Sequence, residues 1–212
     1  DINHSLPSSS SDSRVVGCNT LAEAGRADIV VITAGMARTA GMSRLDLLRS
    51  NAAVISSLAP VLYDQCPDAQ VLLVTNPVDV LTWHLKSLCP SMHVAGLGCS
   101  LDMIRLRYLI AQAAGVSADS VGAMVIGTHD DNMVPLVNRA SIAGIPARAY
   151  LTTDDVQGIV RMTKSAGSTI VNYMKTHSGH YAAGEVIALI VESMVLDLSL
   201  IHISAPTRLL SI

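Results

Sequence analysis

Apolar positions along this chain recur with two different periods, and the periods alternate. Ile29-Val30-Val31-Ile32 is a short β-branched run, too short for a core helix, and predicts a strand buried on both faces. Behind it Leu47, Leu48, Val54, Ile55, Leu58 and Leu62 recur at helical spacing, with Ser43 and Asp46 placed as a capping box and an end near Tyr63. Val71-Leu72-Leu73-Val74 predicts a second buried strand, which runs into Thr75-Asn76-Pro77, where proline stops the ladder. Val78–Leu88 reads as a helix and Met92–Leu97 as a strand closed by Gly96 and Gly98. Upstream, Val15 and Val16 suggest a weak strand, Leu21 and Ala24 a short helix, and Ser8–Ser13 an exposed loop. Strand and helix alternating with short links predict an α/β fold with a parallel sheet covered on both faces.

The pattern changes near Gly98. Ser100 is placed to cap a helix over Leu101–Ala114 with Leu101, Ile104, Tyr108 and Ala111 as its apolar stripe. Val121–Ile126 reads as a strand that leads to Gly127-Thr128-His129-Asp130-Asp131 and a return through Pro135. Thr152 or Thr153, with the two aspartates after them, opens a long helix over about 154–175, in which Gly158 and Gly167 predict a bend. A last helix covers Ala183–Leu196. Residues 1–98 and 99–197 are therefore expected to form two units.

Composition narrows the function classes. Half of the 212 residues are apolar, but phenylalanine is absent and Trp83 is the single tryptophan, so aliphatic residues, alanine and methionine must fill the core. A net charge of −3 argues against nucleic acid or an anionic membrane as the main partner. Cys18, Cys66, Cys89 and Cys99 form no C-x-x-C pair and suggest reduced thiols and a cytoplasmic setting. No apolar run is expected to span a bilayer, and no metal site is expected.

The chemistry lies in residues that are ordinary one at a time. A histidine after a strand is usually structural, and an Asp–Arg pair three apart on a helix is usually a surface ion pair. Two arginines in a loop are usually solvated, and asparagine before proline usually marks a turn. Yet Arg38, Arg44, Asn76, Asp102, Arg105 and His129 all fall at strand ends or helix starts, where an open α/β sheet gathers a ligand. The small residues Thr33-Ala34-Gly35 at the end of the first strand let another molecule approach the backbone. Together the set supplies an acid–base group, a carboxylate to orient it and three guanidinium groups. Hydride transfer at a carbonyl carbon needs that inventory. His129 would give a proton to the carbonyl oxygen and take it back in reverse, Asp102 would fix its tautomer, and Arg105 can grip a carboxylate with two parallel hydrogen bonds.

The segments TAGMARTAGMSR, VTNPVDV, LDMIR and IGTHDDNMVPL stand in an order and spacing that resembles the lactate/malate dehydrogenase family, most of all its lactate-dehydrogenase-like malate dehydrogenases. The resemblance covers about residues 1–197. It implies a Rossmann-type parallel sheet followed by an α+β catalytic unit, NAD as cofactor, and a homodimer or homotetramer. It implies His129 as proton donor and acceptor, Asp102 as its partner, Arg105 on the substrate's C1 carboxylate and Arg44 as the loop arginine that polarises the carbonyl. Asn76 would contact substrate and nicotinamide, with Thr33, Ala34, Gly35, Asn51, Val74 and Thr75 on the dinucleotide side and a cis peptide at Asn76-Pro77. Arg38 stands where lactate enzymes carry glutamine and malate enzymes an arginine for a second carboxylate, which implies a small dicarboxylate, malate or oxaloacetate. An unpaired arginine in a closed site is costly, so Arg38 selects against pyruvate. The alternatives are a lactate or other 2-hydroxy-acid dehydrogenase, or a catalytically silent member that serves as a binding module.

Three features depart from that pattern. Asp130 follows His129 where the family usually has glycine, which sets an extra carboxylate beside the imidazole. Ala37 and Ala40 occupy loop positions where prolines are common. The family's first strand, its G-x-G-x-x-G turn and its acidic ribose ligand are expected to precede Asp1, so the first β-α-β unit is expected to be missing and the chain as it stands inactive. After Asp197, LSLIHISAPTRLLSI (198–212) is expected to be a non-native tail.

Overall fold

The architecture was analysed in a computed structural model that describes residues 2–9, 11–37, 42–175 and 179–198. α1 (Ile2–Ser5) and a 3-10 turn (Leu6–Ser9) precede α2 (Leu21–Ala24), which Thr20 caps by accepting the Glu23 N–H. The strand expected at Val15 and Val16 is absent. Both residues are exposed, and the side-chain amide of Asn3 takes the Val15 N–H and C=O at 2.7 Å each, in place of a ladder.

Three parallel strands, β1 (Ile29–Ile32), β2 (Gln70–Leu73) and β3 (His93–Gly96), pair in that order, with Val30 opposite Val71 and Val71 opposite Val94. α3 (Arg44–Gln65) and α4 (Val78–Leu88) are the crossovers. The Ser43–Asp46 capping box forms as the spacing predicted. Ile55, Ala59 and Leu62 of α3 and Leu81 and Leu85 of α4 lie against Ile32, Val71, Leu73 and Val94 of the sheet. Each such valine, leucine or isoleucine, fully buried, is worth about 1.5–3 kcal/mol over its exposed state. The opposite face buries Leu72 with Val78, Leu97 and Leu101 and with Val186 and Ile190 of the last helix.

β2 is thus buried on both faces, but β1 is not. Val31 is 37% exposed while Ile32 is 4% exposed. β1 is one edge of the described sheet, and the last helix lies over β2 and not over β1. A second correction concerns α3, whose Leu45–Gln65 portion is long and apolar enough, by length and a mean hydropathy of 1.2 alone, to cross a membrane. Its hydropathy comes from alanine and leucine spread around the helix, and one face is taken up by the sheet.

The second half packs around α5 (Ser100–Ala114). Ser100 is the first helical residue rather than the cap; Cys99 holds the cap position without a side-chain bond. Tyr108 is 56% exposed, and Leu106, Ile110 and Ala111 are buried in its place. The stripe wraps because α5 serves two cores, one shared with α6 and the small sheets, the other with the parallel sheet. The strand expected over Val121–Ile126 divides into β4 (Val121–Gly122) and β5 (Val125–Ile126). β4 pairs with β7 (Ser141–Ile142), β5 with β6 (Val134–Pro135), and β7 also with β8 (Ile145–Pro146), all antiparallel. The chain changes sheets between them.

α6 (Thr153–Met174) begins at a Thr152–Asp155 capping box and runs as one helix through Gly158 and Gly167. A Cβ on Gly167 would lie 3.9 Å from Arg105 Nη1, so the bare backbone there is a surface against which that guanidinium lies. α7 (Tyr181–Val195) completes the described fold.

Candidate active site

Parallel strands end together, and these end in small polar residues. The ladder continues past the assigned strands, with the Val74 N–H donated to Ile32 O and the Leu97 N–H to Leu73 O, each at 2.9 Å. Thr33, Ala34 and Gly35 are exposed at the end of β1, and Asn76 is exposed beyond β2, before a cis Asn76-Pro77 bond. A Cβ on Gly35 would lie 2.5 Å from Thr75 Cγ2 and 2.9 Å from Asn51 Oδ1, so only glycine fits between the strand ends without a shift.

Asn51 and Thr75 sit behind this shelf. Asn51 is 1% exposed; its oxygen accepts the Met36 N–H at 2.7 Å, and its nitrogen donates to Met36 O at 3.2 Å and Asn76 O at 2.8 Å. Thr75 donates its hydroxyl to Ala34 O at 2.7 Å. The two tie the β1 turn to the β2 turn through backbone atoms. Val74 is half-buried between them.

The acid–base group arrives from the second half. His129 lies in the loop between β5 and β6, and its Nδ1 is 2.5 Å from Asp102 Oδ2. Asp102, in the first turn of α5, is fully buried; its other oxygen accepts from Arg105 Nη1 at 3.1 Å. The His129 and Arg105 side chains are each 16% exposed. One buried carboxylate therefore orients two partly exposed groups, and the three-residue spacing on α5 is what lets it reach the arginine.

The loop is braced at three further points. Cys99 donates its thiol to Gly127 O at 3.3 Å. Burial, and after it the charges of Asp102, Asp79 and Asp130, hold that thiol protonated, pushed up to about 12. The Asp130 carboxylate accepts from the Thr128 hydroxyl at 2.8 Å and the Asn132 N–H at 2.7 Å, so it serves its own turn. Asp79 of α4 accepts the backbone N–H of His129 at 2.8 Å. Sequence reasoning missed Asp79 and Cys99. The signal for Asp79 was its place in the first turn of a helix, which the helix dipole alone accounts for.

The structure thus brings together His129, Asp102 and Arg105, and separately Asn76 with the Gly35 turn, linked by Asp79. Arg38 lies outside the described residues, as does the side chain of Arg44, whose backbone opens α3. A cavity of about 390 Å³ lies elsewhere, at the amino ends of β2 and β3 beside α7. Its lining includes Lys86, His93 and Asp197, but among the described residues no hydrogen bond joins that histidine to that carboxylate, whereas His129 and Asp102 are paired at the opposite, carboxyl end of the sheet.

Comparison with known proteins decides the family. Residues 1–94 match the model of the lactate/malate dehydrogenase NAD binding domain, and residues 99–206 that of the lactate/malate dehydrogenase alpha/beta C-terminal domain. The chain belongs to the lactate/malate dehydrogenase family. It is 38% identical to malate dehydrogenase of Chlorobium chlorochromatii over 88% of this chain and 61% of that protein. To malate dehydrogenase of Thermoplasma acidophilum it is 39% identical over 93% of this chain and 63% of that protein.

Among solved structures the fold is similar to apo malate dehydrogenase from Picrophilus torridus, with a TM-score of 0.86 at 36% identity over 92% of this chain and 62% of that one. It is also similar to lactate dehydrogenase from Eimeria maxima with NADH and oxamate, with a TM-score of 0.82 at 33% identity over 92% and 62%. The chain spans about three fifths of the length of the curated relatives it matches. Both family members share the α/β core described above.

Proposed function

We propose that the protein to which this chain belongs is an NAD-dependent malate dehydrogenase, interconverting malate and oxaloacetate. The observation that carries the reading is one buried carboxylate, Asp102, engaged at once by the His129 ring and the Arg105 guanidinium. With Nδ1 on Asp102, the tautomer is set so that Nε2 handles the substrate proton. His129 delivers that proton to the ketone oxygen in reduction and takes it from the alcohol in oxidation. Arg105 pairs with the C1 carboxylate through two parallel hydrogen bonds.

The residues at the strand ends fit a dinucleotide. The exposed Thr33-Ala34-Gly35 turn offers bare backbone, and Asn76 stands next to it at the ends of parallel strands, with Asn51, Val74 and Thr75 as support. NADH held there would supply the hydride for the carbonyl carbon, and His129 supplies the proton for its oxygen, so the alcohol forms with charge balanced. The match of residues 1–94 to an NAD binding domain supports this cofactor. Arg44 acts on the carbonyl oxygen, and Arg38 pairs with the second carboxylate of a four-carbon diacid. The full-length protein acts as a homodimer or homotetramer in the cytoplasm.

Arg38→Gln in the full-length protein is the test of substrate choice. The ratio of kcat/KM for oxaloacetate over pyruvate is expected to fall by about tenfold or more, the effect of losing one charged pair. An unchanged ratio overturns the malate assignment in favour of another 2-hydroxy-acid dehydrogenase. Failure of the wild type to bind NADH would favour a silent binding module.

A further inference from the structure

A carboxylate in the first turn of a helix is ordinarily explained by the helix dipole. Asp79 of α4 does more than that. Its Oδ2 accepts the N–H of His129 at 2.8 Å across fifty positions of sequence, joining the parallel-sheet unit to the loop that carries the acid–base group. That N–H lies beyond the two paired residues of β5, so the sheet ladder does not provide for it, and a half-buried backbone donor needs a partner.

The position of Asp79 matters as much as its bond. It follows Pro77 by two residues, and Asn76 lies on the other side of that proline. Asn76 is itself fixed through its carbonyl by Asn51 Nδ2 at 2.8 Å. A single turn of chain between β2 and α4 therefore carries both Asn76 and the acceptor for His129. The other braces on the histidine come from α5 and from its own loop, through Asp102, Cys99 and Asp130. Those can hold the ring relative to α5, but they do not refer it to the strand ends where the Gly35 turn and Asn76 sit.

We propose that Asp79 is a positioning residue: it seats the His129 backbone on the β2–α4 junction and so sets where the imidazole stands relative to Asn76. Its carboxylate also belongs to a negatively charged group with Asp102 and Asp130 around the buried thiol of Cys99. The consequence for turnover rests on the reading of His129 as the proton carrier; the backbone clamp does not.

The test compares Asp79→Asn, which keeps an acceptor oxygen, with Asp79→Ala, in the full-length protein. Amide hydrogen exchange at His129 is followed by NMR beside steady-state reduction of oxaloacetate. In the wild type the His129 amide is expected to exchange far more slowly than a solvated loop amide. Alanine is expected to speed that exchange by about ten- to a hundredfold, the factor for one lost hydrogen bond to a charged acceptor. It is expected to lower kcat by a similar factor, with KM changed less than about threefold, while asparagine restores exchange and kcat to within about fivefold, the cost of exchanging a charged acceptor for a neutral one.

Should the alanine variant not fold, the wild-type exchange rate and the asparagine variant still decide. An unprotected His129 amide in the wild type overturns the proposal. So does an asparagine variant as impaired as alanine, because a plain helix-dipole role loses the charge in both. A protected amide that Asp79→Ala exposes, in a protein that reduces no 2-oxo acid, upholds the clamp and refutes the proposed activity instead.

Discussion

Replacing Asp102 by asparagine keeps the shape of the side chain and removes what both neighbours need. The carboxylate is fully buried and presents one oxygen to His129 Nδ1 at 2.5 Å and the other to Arg105 Nη1 at 3.1 Å. Both partners are donors. An amide has one acceptor oxygen, so either orientation turns its NH₂ group toward a donor. One charge-assisted bond is lost, at about 1.5–3 kcal/mol, and the survivor weakens to a bond with a neutral acceptor, at about 1 kcal/mol more. The two terms add to about 2.5–4 kcal/mol, an upper figure, because His129 and Arg105 are 16% exposed and water offsets part of the loss. If the imidazole carries the proton at the barrier, that is a fall of about 10² to 10³ in kcat, at 1.36 kcal/mol per decade. KM for oxaloacetate should rise too, since Arg105 loses its support. The assay is steady-state oxidation of NADH by the full-length variant, with NADH affinity and thermal unfolding measured on the same preparation. A folded variant with kcat within about threefold of wild type would refute the reasoning, because Asp102 would then not act through the ring.

Two further outcomes follow from the packing. Gly35→Ala sets a methyl group 2.5 Å from Thr75 Cγ2 and 2.9 Å from Asn51 Oδ1, and overpacking of that kind costs about 1–3 kcal/mol. Thermal unfolding should report it as a fall in Tm of about 2–4 °C per kcal/mol, and an unaltered Tm would show that the strand ends can part freely. Cys99 is 4% exposed and its thiol is held protonated, whereas Cys18 is exposed, so a thiol reagent at neutral pH should label Cys18 quickly and Cys99 only after unfolding. Raising the pH through the ordinary thiol range should not alter that order, and rapid labelling of Cys99 in the native protein would contradict the burial described here.

Local patterns were sufficient wherever the physics is local. Ser43 and Asp46, like Thr152 and Asp155, satisfy orphan helix donors within four residues of chain, so their capping boxes could be read from spacing alone. Val78–Leu88 begins after a proline and keeps one apolar face, and the helix has those same ends. Asp102 and Arg105 share a helical face by their spacing, and His129 after a strand was legible as a candidate. Burial was less so, because it depends on what lies opposite. Val31 is exposed because the last helix covers that face of β2 and not of β1, and Tyr108 is exposed because α5 turns Leu106 and Ile110 to one core and Leu101 to another. The division of Val121–Ile126 between two sheets depends on partners further down the chain, Ser141 and Ile142 for the first half and Val134 and Pro135 for the second. Only the tertiary structure could join Asp79 to His129 or place Asn51 behind Met36 and Asn76. A hydrogen bond has no period, so residues far apart in sequence that meet through a backbone N–H leave no trace in the pattern of side chains.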